Sequence, residues 1–98
     1  MVTLINKFTV KGSTDEFEQI WARSAEFMRS QQGFIGFKLH RSLSRPDVYV
    51  NVALWQTPAD HQRVLASAEF GAHIKQLADV AIPDPDLYTV VLEGAPVL

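Results

Sequence analysis

Length, composition and charge exclude several classes of protein before any motif is considered. The 98 residues suffice for a single domain, residues 1–98, and a 47% apolar content is that of a folded chain rather than a disordered one. A net charge of −2 offers no basic face for nucleic acid, and the lack of cysteine removes disulfides, thiolate nucleophiles and zinc–cysteine sites.

The start of the chain has the periodicity of a strand followed by a helix. Apolar residues alternate through Val2–Val10, which predicts a strand. Residues 13–16, Ser-Thr-Asp-Glu, form a capping box, and apolar residues recur at helical spacing until Gly33. The N-terminal run has no small-residue cleavage site, and no apolar stretch reaches the roughly 20 residues of a membrane helix, so we expect a cytoplasmic protein with no membrane partner.

Two more strands and a second helical region follow. Residues Phe34–Ser42 and Val48–Gln56 alternate again and are separated by LSRPD, which is typical of a hairpin loop. Thr57 then caps the second helical region, and Pro58 occupies its first position.

The last third of the chain predicts a broken helix and a final strand. A fresh capping pattern, SAEF at 67–70, predicts a break near residue 67. We interpret IPDPD at 82–86 as a loop and Leu87–Leu92 as the last strand. The element order β-α-β-β-α-β predicts an α+β fold of the ferredoxin-like type.

Both faces of the predicted sheet carry apolar residues, although one layer of helices covers only one face. A sheet that is apolar on both sides must bury both, and packing against a second copy about a two-fold axis achieves this. We therefore expect a homodimer whose sheets face each other, a dimeric α+β barrel. The second strand places Ile35, Phe37 and Leu39 opposite Phe34 and Gly36, and the third places Val48, Val50, Val52 and Leu54 opposite Tyr49, Ala53 and Trp55.

Five side chains interrupt the apolar faces, and each has a structural and a functional interpretation. Asn6 and Asn51 could bond neighbouring backbone or anchor a ligand, since a buried amide without a partner costs about 1–3 kcal/mol. Trp55 could be a core residue, a dimer contact or a cavity wall. His61 could be solvated, and His73 could be a hydrogen-bonded core residue, or either could be a base.

Motifs for phosphate or metal binding are absent from the sequence. There is no GxGxxG or GxxxxGK pattern, and the histidines at 40, 61 and 73 have no zinc-ligand spacing. Aromatic residues, amides and imidazoles remain, which is the composition of a pocket for a flat aromatic ligand with a few polar anchors.

Three stretches resemble the antibiotic biosynthesis monooxygenase family: INKFTV, QQGFIGFKLHRS and ALWQTPADHQRVLASAEFGAHI. The resemblance covers about nine-tenths of the chain and implies a small dimeric α+β barrel. One branch of the family oxidises hydroxyanthrones to quinones without metal, flavin or haem. Its site has an amide four residues before a tryptophan and a tyrosine six after it, which implies roles for Asn51 and Trp55, with His61 in the tyrosine's place.

A second branch of the family degrades haem. It uses an asparagine in the first strand, a tryptophan on the second helix and a histidine nine or ten residues later. The resemblance thus implies roles for Asn6 and His73, while Val64 replaces the tryptophan that helps to distort the haem.

We favour the first branch, in which a deprotonated phenol activates dioxygen itself, and therefore expect no cofactor. His73 is the first choice for the base, because we expect it to be buried and burial favours the neutral imidazole; His61 is the second. Asn6 and Asn51 would bind the phenolate or the peroxide. The expected partners are a small aromatic substrate, dioxygen and a second copy of the chain. The expected lining residues are Trp55, Trp21, Val64, Phe70 and Tyr88.

Two alternatives stay open. The protein could bind or degrade haem on the same fold, or it could be a non-oxidative polyketide cyclase or binding protein that uses the same cavity.

Overall fold

A computed structural model describes residues 1–97 as three helices packed on one face of a four-stranded antiparallel sheet. The strands lie in the spatial order β2-β3-β1-β4. This arrangement confirms the predicted α+β ferredoxin-like fold. In chain order the elements are β1 Val2–Val10, α1 Thr14–Arg29, β2 Phe34–Arg41, β3 Val48–Trp55, α2 Pro58–Leu65, α3 Ala68–Val80 and β4 Ala81–Tyr88.

Serine side chains mark where α1 and α3 begin. Ser13 Oγ accepts a hydrogen bond from the Glu16 N–H at 3.1 Å, and Ser67 Oγ accepts one from the Phe70 N–H at 3.2 Å. Each satisfies a backbone donor that has no partner within its helix. Because Ser67 lies between α2 and α3, the predicted break near residue 67 is confirmed.

The predicted end of the chain is wrong. The loop expected at 82–86 lies inside β4, which spans Ala81–Tyr88. The strand expected at 87–92 is therefore also wrong beyond its first two residues, since residues 89–97 form no helix or strand.

Prolines fit into β4 because it is an edge strand, paired only with β1. Pro83 and Pro85 are two positions apart, so both missing N–H groups lie on the same, open side of the strand. Asp84, between them, directs its N–H toward β1, where Asn6 Oδ1 accepts it at 3.1 Å. A proline-rich sequence thus forms a strand where only one edge must supply hydrogen bonds.

A bulge in β2 corrects the predicted alternation. The register pairs Phe34 and Gly36 with successive residues of β3, which leaves Ile35 without a partner. Phe34 therefore faces the helices together with Phe37, instead of pointing to the opposite side, while Ile35 is 46% exposed.

Two apolar clusters fill the space between sheet and helices. The largest fully buried side chains are Trp55, Phe8 and Phe17, and burying each stabilises the fold by about 1.5–3 kcal/mol. The first cluster consists of Phe8, Val10, Phe17, Ile20, Tyr49, Leu77 and Ala81, with Trp21 packed against it. The second cluster consists of Leu4, Ala53, Trp55 and Val64, flanked by Met28, Phe34, Phe37 and Phe70 among others.

Gly33, at the end of the α1–β2 connection, packs closely against Asp60 in the first turn of α2. Its φ of 85° lies in the left-handed region, and a Cβ there would overlap the carboxyl group of Asp60. Its carbonyl accepts the Gln56 N–H at 2.8 Å. The Thr57 hydroxyl and the Arg63 guanidinium bond the Asp60 carboxylate, and both hold the pKa of Asp60 below its ordinary value.

Two glycine-to-alanine changes should have opposite effects on stability. Gly33→Ala should cost about 1–3 kcal/mol for the backbone conformation alone, with the overlap adding to it. Gly71→Ala, in α3, meets no atom within 4 Å and should gain up to about 1 kcal/mol. Urea denaturation of both variants measures the difference. Equal stability of the two variants would contradict this account of Gly33.

Candidate functional site

A cavity of about 60 Å³ lies where the two apolar clusters meet. Its floor is the sheet and its roof is the seam between α1 and α3. The floor residues are Leu4, Phe34, Phe37, Asn51, Ala53 and Trp55, and the roof residues are Trp21, Ala25, Met28, Phe70 and Leu77. Apart from the indole N–H groups of the two tryptophans, Asn51 supplies the polar side chain of this otherwise apolar wall.

Three polar atoms of this wall are buried without a hydrogen-bond partner among residues 1–97. They are Asn51 Oδ1, Trp55 Nε1 and Trp21 Nε1. Leaving each of them unsatisfied costs about 1–3 kcal/mol, so native proteins rarely keep such groups without a reason. Asn51 and Trp55 belong to the floor and Trp21 to the roof. A ligand that offers oxygen atoms would satisfy the two indole N–H groups.

Trp55 is held rigidly at the end of β3. It is 1% exposed, and the rings of Phe34 and His61 meet it edge-on, with centroids 5.2 Å and 5.5 Å away. Such contacts fix the plane of the indole and hence the direction of its N–H group. Trp55 therefore combines core packing with a place in the cavity wall.

His61 is the buried histidine, so the interpretation of His61 as a solvated side chain is wrong. It is 6% exposed, and its Nδ1 has no partner among the described residues. Burial lowers the pKa of His61, so the imidazole is neutral at pH 7. His61 does not line the cavity but stands behind Trp55.

The lowered pKa of His61 should make stability depend on pH. The unfolded chain binds a proton more readily than the folded one, so stability should fall as the pH drops below the ordinary value of 6.5 and stop falling below the folded-state pKa. Urea midpoints between about pH 7.5 and about pH 5 measure this slope. His61→Gln should flatten it, whereas His40→Gln, at an exposed histidine, should not. An unchanged slope in His61→Gln would refute the assignment.

His73 is only partly buried, which corrects the expectation of a buried imidazole. Its Nδ1 lies 3.2 Å from Ser24 Oγ, and the Phe27 ring packs against it at 5.2 Å. His73 does not itself line the cavity, but Phe70 and Leu77, which do, flank it on the same face of α3. The imidazole thus lies in the roof seam.

Asn6 has a structural partner. It lies directly opposite Asn51 in the β1–β3 register, but its Oδ1 accepts the Asp84 N–H and it is not part of the cavity wall. The sequence analysis gave both asparagines the same role, but among residues 1–97 only Asn51 has a buried amide oxygen without a partner.

Of the other residues expected to line the cavity, two belong to its wall and two do not. Phe70 and Trp21 line the cavity. Val64 is buried in the second cluster, together with Trp55, and is not part of the cavity wall. Tyr88, at the end of β4, is 48% exposed and does not belong to the wall.

Sequence reasoning missed several wall residues. Ala25 and Met28 follow Trp21 at i+4 and i+7, so the helical period alone could have found them. Phe34 and Phe37 could not be found together, because the bulge at Ile35 brings them to one face.

Residues 1–97 contain no group of three or more His, Asp or Glu side chains placed to hold a metal ion. None of the helices in that range has the length and apolar character required to cross a bilayer.

Known proteins share the sequence pattern and the fold of this chain. Residues 1–76 match the model of the family described as antibiotic biosynthesis monooxygenase. The chain belongs to this family. It is similar to the deoxynogalonate monooxygenase of Streptomyces nogalater, with 36% identity over 88 residues that cover 90% of this chain and 75% of that protein.

Solved structures extend the family relationship to three dimensions. The chain is similar to SnoaB, a cofactor-independent oxygenase from Streptomyces nogalater, with a TM-score of 0.90, 35% identity and 94% of each chain covered. A conserved protein from Methanosarcina mazei has the same fold as this chain, with a TM-score of 0.81 and 17% identity over 89% of each chain.

Proposed function

We propose that the protein is a cofactor-independent monooxygenase that oxidises a phenolic polycyclic substrate to a quinone in the cavity between sheet and helices. The single observation that carries the proposal is the set of buried polar atoms without partners in an otherwise apolar wall, on Asn51, Trp55 and Trp21. The similarity to a deoxynogalonate monooxygenase and to a cofactor-independent oxygenase supports the same reaction class.

The polar atoms fit the charge that such a reaction develops. Oxidation begins when the phenol loses its proton, and the resulting oxyanion needs hydrogen-bond donors in a site without water. The indole N–H groups of Trp21 and Trp55 supply donors, and the Asn51 amide can turn its nitrogen toward a substrate oxygen. In a site of low dielectric constant each such bond is stronger than it is in water.

The electrons come from the substrate itself. The phenol is the enol tautomer of the anthrone, so the proton that it loses is one of the two hydrogens of the ring methylene. The phenolate reduces dioxygen by one electron, and the substrate radical and superoxide combine to form a carbon–oxygen bond at that carbon. The oxygen–oxygen bond of the peroxide then breaks as the remaining methylene proton leaves. One oxygen atom stays as the quinone carbonyl, the other departs as water, and dioxygen is the only oxidant.

His73 is the proposed base. The cavity of about 60 Å³ is smaller than the roughly 150 Å³ cavity that admits benzene, so a polycyclic substrate must part its walls. The seam between α1 and α3 forms the roof, and opening it exposes His73 to the substrate. His61 remains the second choice, because the Trp55 ring separates it from the cavity.

Oxygen uptake with a model hydroxyanthrone tests this function. We expect dioxygen consumption without added cofactor, and with ¹⁸O₂ we expect one labelled oxygen in the quinone. Product formation that continues without dioxygen would instead indicate a cyclase. A Soret-band complex with haemin that turns over with a reductant would indicate the haem branch.

We propose further that a second copy of the chain covers the open face of the sheet. Val50, Val52 and Leu54 of β3 and Ile5 of β1 point away from all three helices, and none of them is fully buried in one chain. In a dimer with two-fold symmetry, the apolar patch of one chain packs against the same patch of the other, so both are buried.

Two leucine variants should separate this contact from general surface effects. Leu54→Asp, on the open face, should convert a dimer into a monomer in sedimentation experiments. Leu65→Asp, at an exposed position of α2, should leave the assembly unchanged. A wild-type protein that sediments as a folded monomer at micromolar concentration would contradict the proposed dimer.

A further inference from the structure

The hydrogen bonds of Ser24 determine which nitrogen of His73 carries the proton. Ser24, buried in α1, has its Oγ 3.2 Å from the Ile20 carbonyl oxygen and 3.2 Å from His73 Nδ1. A hydroxyl has one hydrogen to donate, and a carbonyl oxygen can only accept. Both contacts are hydrogen bonds only if Ser24 donates to Ile20 and His73 donates through an Nδ1–H group to Ser24.

The opposite arrangement loses one of these bonds. If Ser24 donated to an unprotonated Nδ1, its oxygen would face the Ile20 carbonyl with no hydrogen between them. The buried position of Ser24 offers no water to compensate for the lost bond. The Nδ1–H tautomer therefore satisfies more groups, and it leaves the lone pair of Nε2 free.

We infer that Ser24 is a positioning residue, which holds His73 in the Nδ1–H tautomer so that Nε2 is its proton acceptor. The inference rests on the proposed function for the role of that acceptor, but the tautomer itself does not depend on it. The Phe27 ring, tilted 31° to the imidazole at 5.2 Å, fixes the plane in which Nε2 points.

The place of this pair in the fold connects it to the cavity. Ser24 is surrounded on α1 by Trp21, Ala25 and Met28, and all three line the cavity. The Ser24–His73 bond therefore crosses the seam between α1 and α3 that forms the cavity roof. When Nε2 accepts a proton, Nδ1–H still donates to Ser24 Oγ, so proton transfer does not break the hydrogen bond that orients the imidazole.

Nitrogen NMR measures the tautomer directly and needs no substrate. At about pH 8.5, two units above the ordinary histidine pKa, we expect His73 to show a protonated Nδ1 and an unprotonated Nε2. The three histidines can be assigned by replacing each with glutamine. Ser24→Ala should return His73 to the Nε2–H tautomer that free imidazole side chains prefer, and Ser24→Thr, which keeps the hydroxyl, should retain Nδ1–H.

The kinetic arm uses the same variants. Ser24→Ala should lower kcat by about 10–100-fold with KM nearly unchanged, and Ser24→Thr should restore most of it. Ser44→Ala, in an exposed loop, controls for loss of a serine. A wild-type His73 in the Nε2–H form, or a Ser24→Ala variant with full kcat, would overturn the inference. A wild-type protein without oxygenase activity would instead refute the proposed function and leave the tautomer to be decided by NMR alone.

Discussion

Asn51→Ala is expected to lower turnover by about 10²-fold or more, because it removes a polar group that can bond the substrate oxyanion in a site without water. The fold should persist, since the amide contributes little apolar area and its buried oxygen has no partner among residues 1–97 to lose. Steady-state kinetics of dioxygen uptake give the loss in kcat, and thermal unfolding gives the stability of the same sample.

Asn6→Ala is the matched control for this change. The two asparagines face each other across β1 and β3, but Asn6 bonds the Asp84 backbone. Its loss should cost about 0.5–1.5 kcal/mol of stability and reduce turnover per folded molecule by less than about threefold. Equal losses of turnover in the two variants would show that the asparagines act together, contrary to this account.

His73→Ala is expected to lower kcat by about 10²–10⁴-fold, the usual contribution of a positioned general base. The substitution leaves a space beside Phe27 and Ser24, so added imidazole should restore part of the lost rate. His73→Gln, which can still bond Ser24 but has no basic nitrogen, should be as slow as His73→Ala. If both variants keep full activity, the base lies elsewhere, with His61 next in order.

The sequence could predict most of the elements because each carries its own local signal. Alternation along β3 placed Asn51 and Trp55 on one face, and the structure has both in the cavity floor, with Ala53 between them. The cap at Ser67 separated α2 from α3, as the Ser67–Phe70 bond now shows. These features depend on residues close together in the chain.

The wrong predictions concern features that depend on distant residues. Pro83 and Pro85 are compatible with a strand only at a sheet edge, and the edge is known only from the strand order. His61 is buried because α2 packs it against Trp55, whereas His73, which was expected to be buried, lies only partly buried at the seam between α3 and α1. The sequence of a helix alone does not show which element of the fold it will pack against.

The unsatisfied groups of the cavity also have a consequence for stability. Two indole donors and an amide oxygen are buried without partners among residues 1–97, and each lowers the stability of the fold. Filling the cavity with a ligand that bonds them should therefore raise the melting temperature by more than apolar contact alone would.

Indole N–H resonances test the central claim, that this cavity is the substrate site, most directly. The chain has only two tryptophans, so a ¹H–¹⁵N spectrum contains two indole signals, which Trp21→Phe and Trp55→Phe assign. On titration with an unreactive hydroxyanthraquinone, the account predicts that both signals move downfield as each N–H gains an oxygen acceptor. Saturable binding of the same ligand with both indole signals unmoved would contradict it.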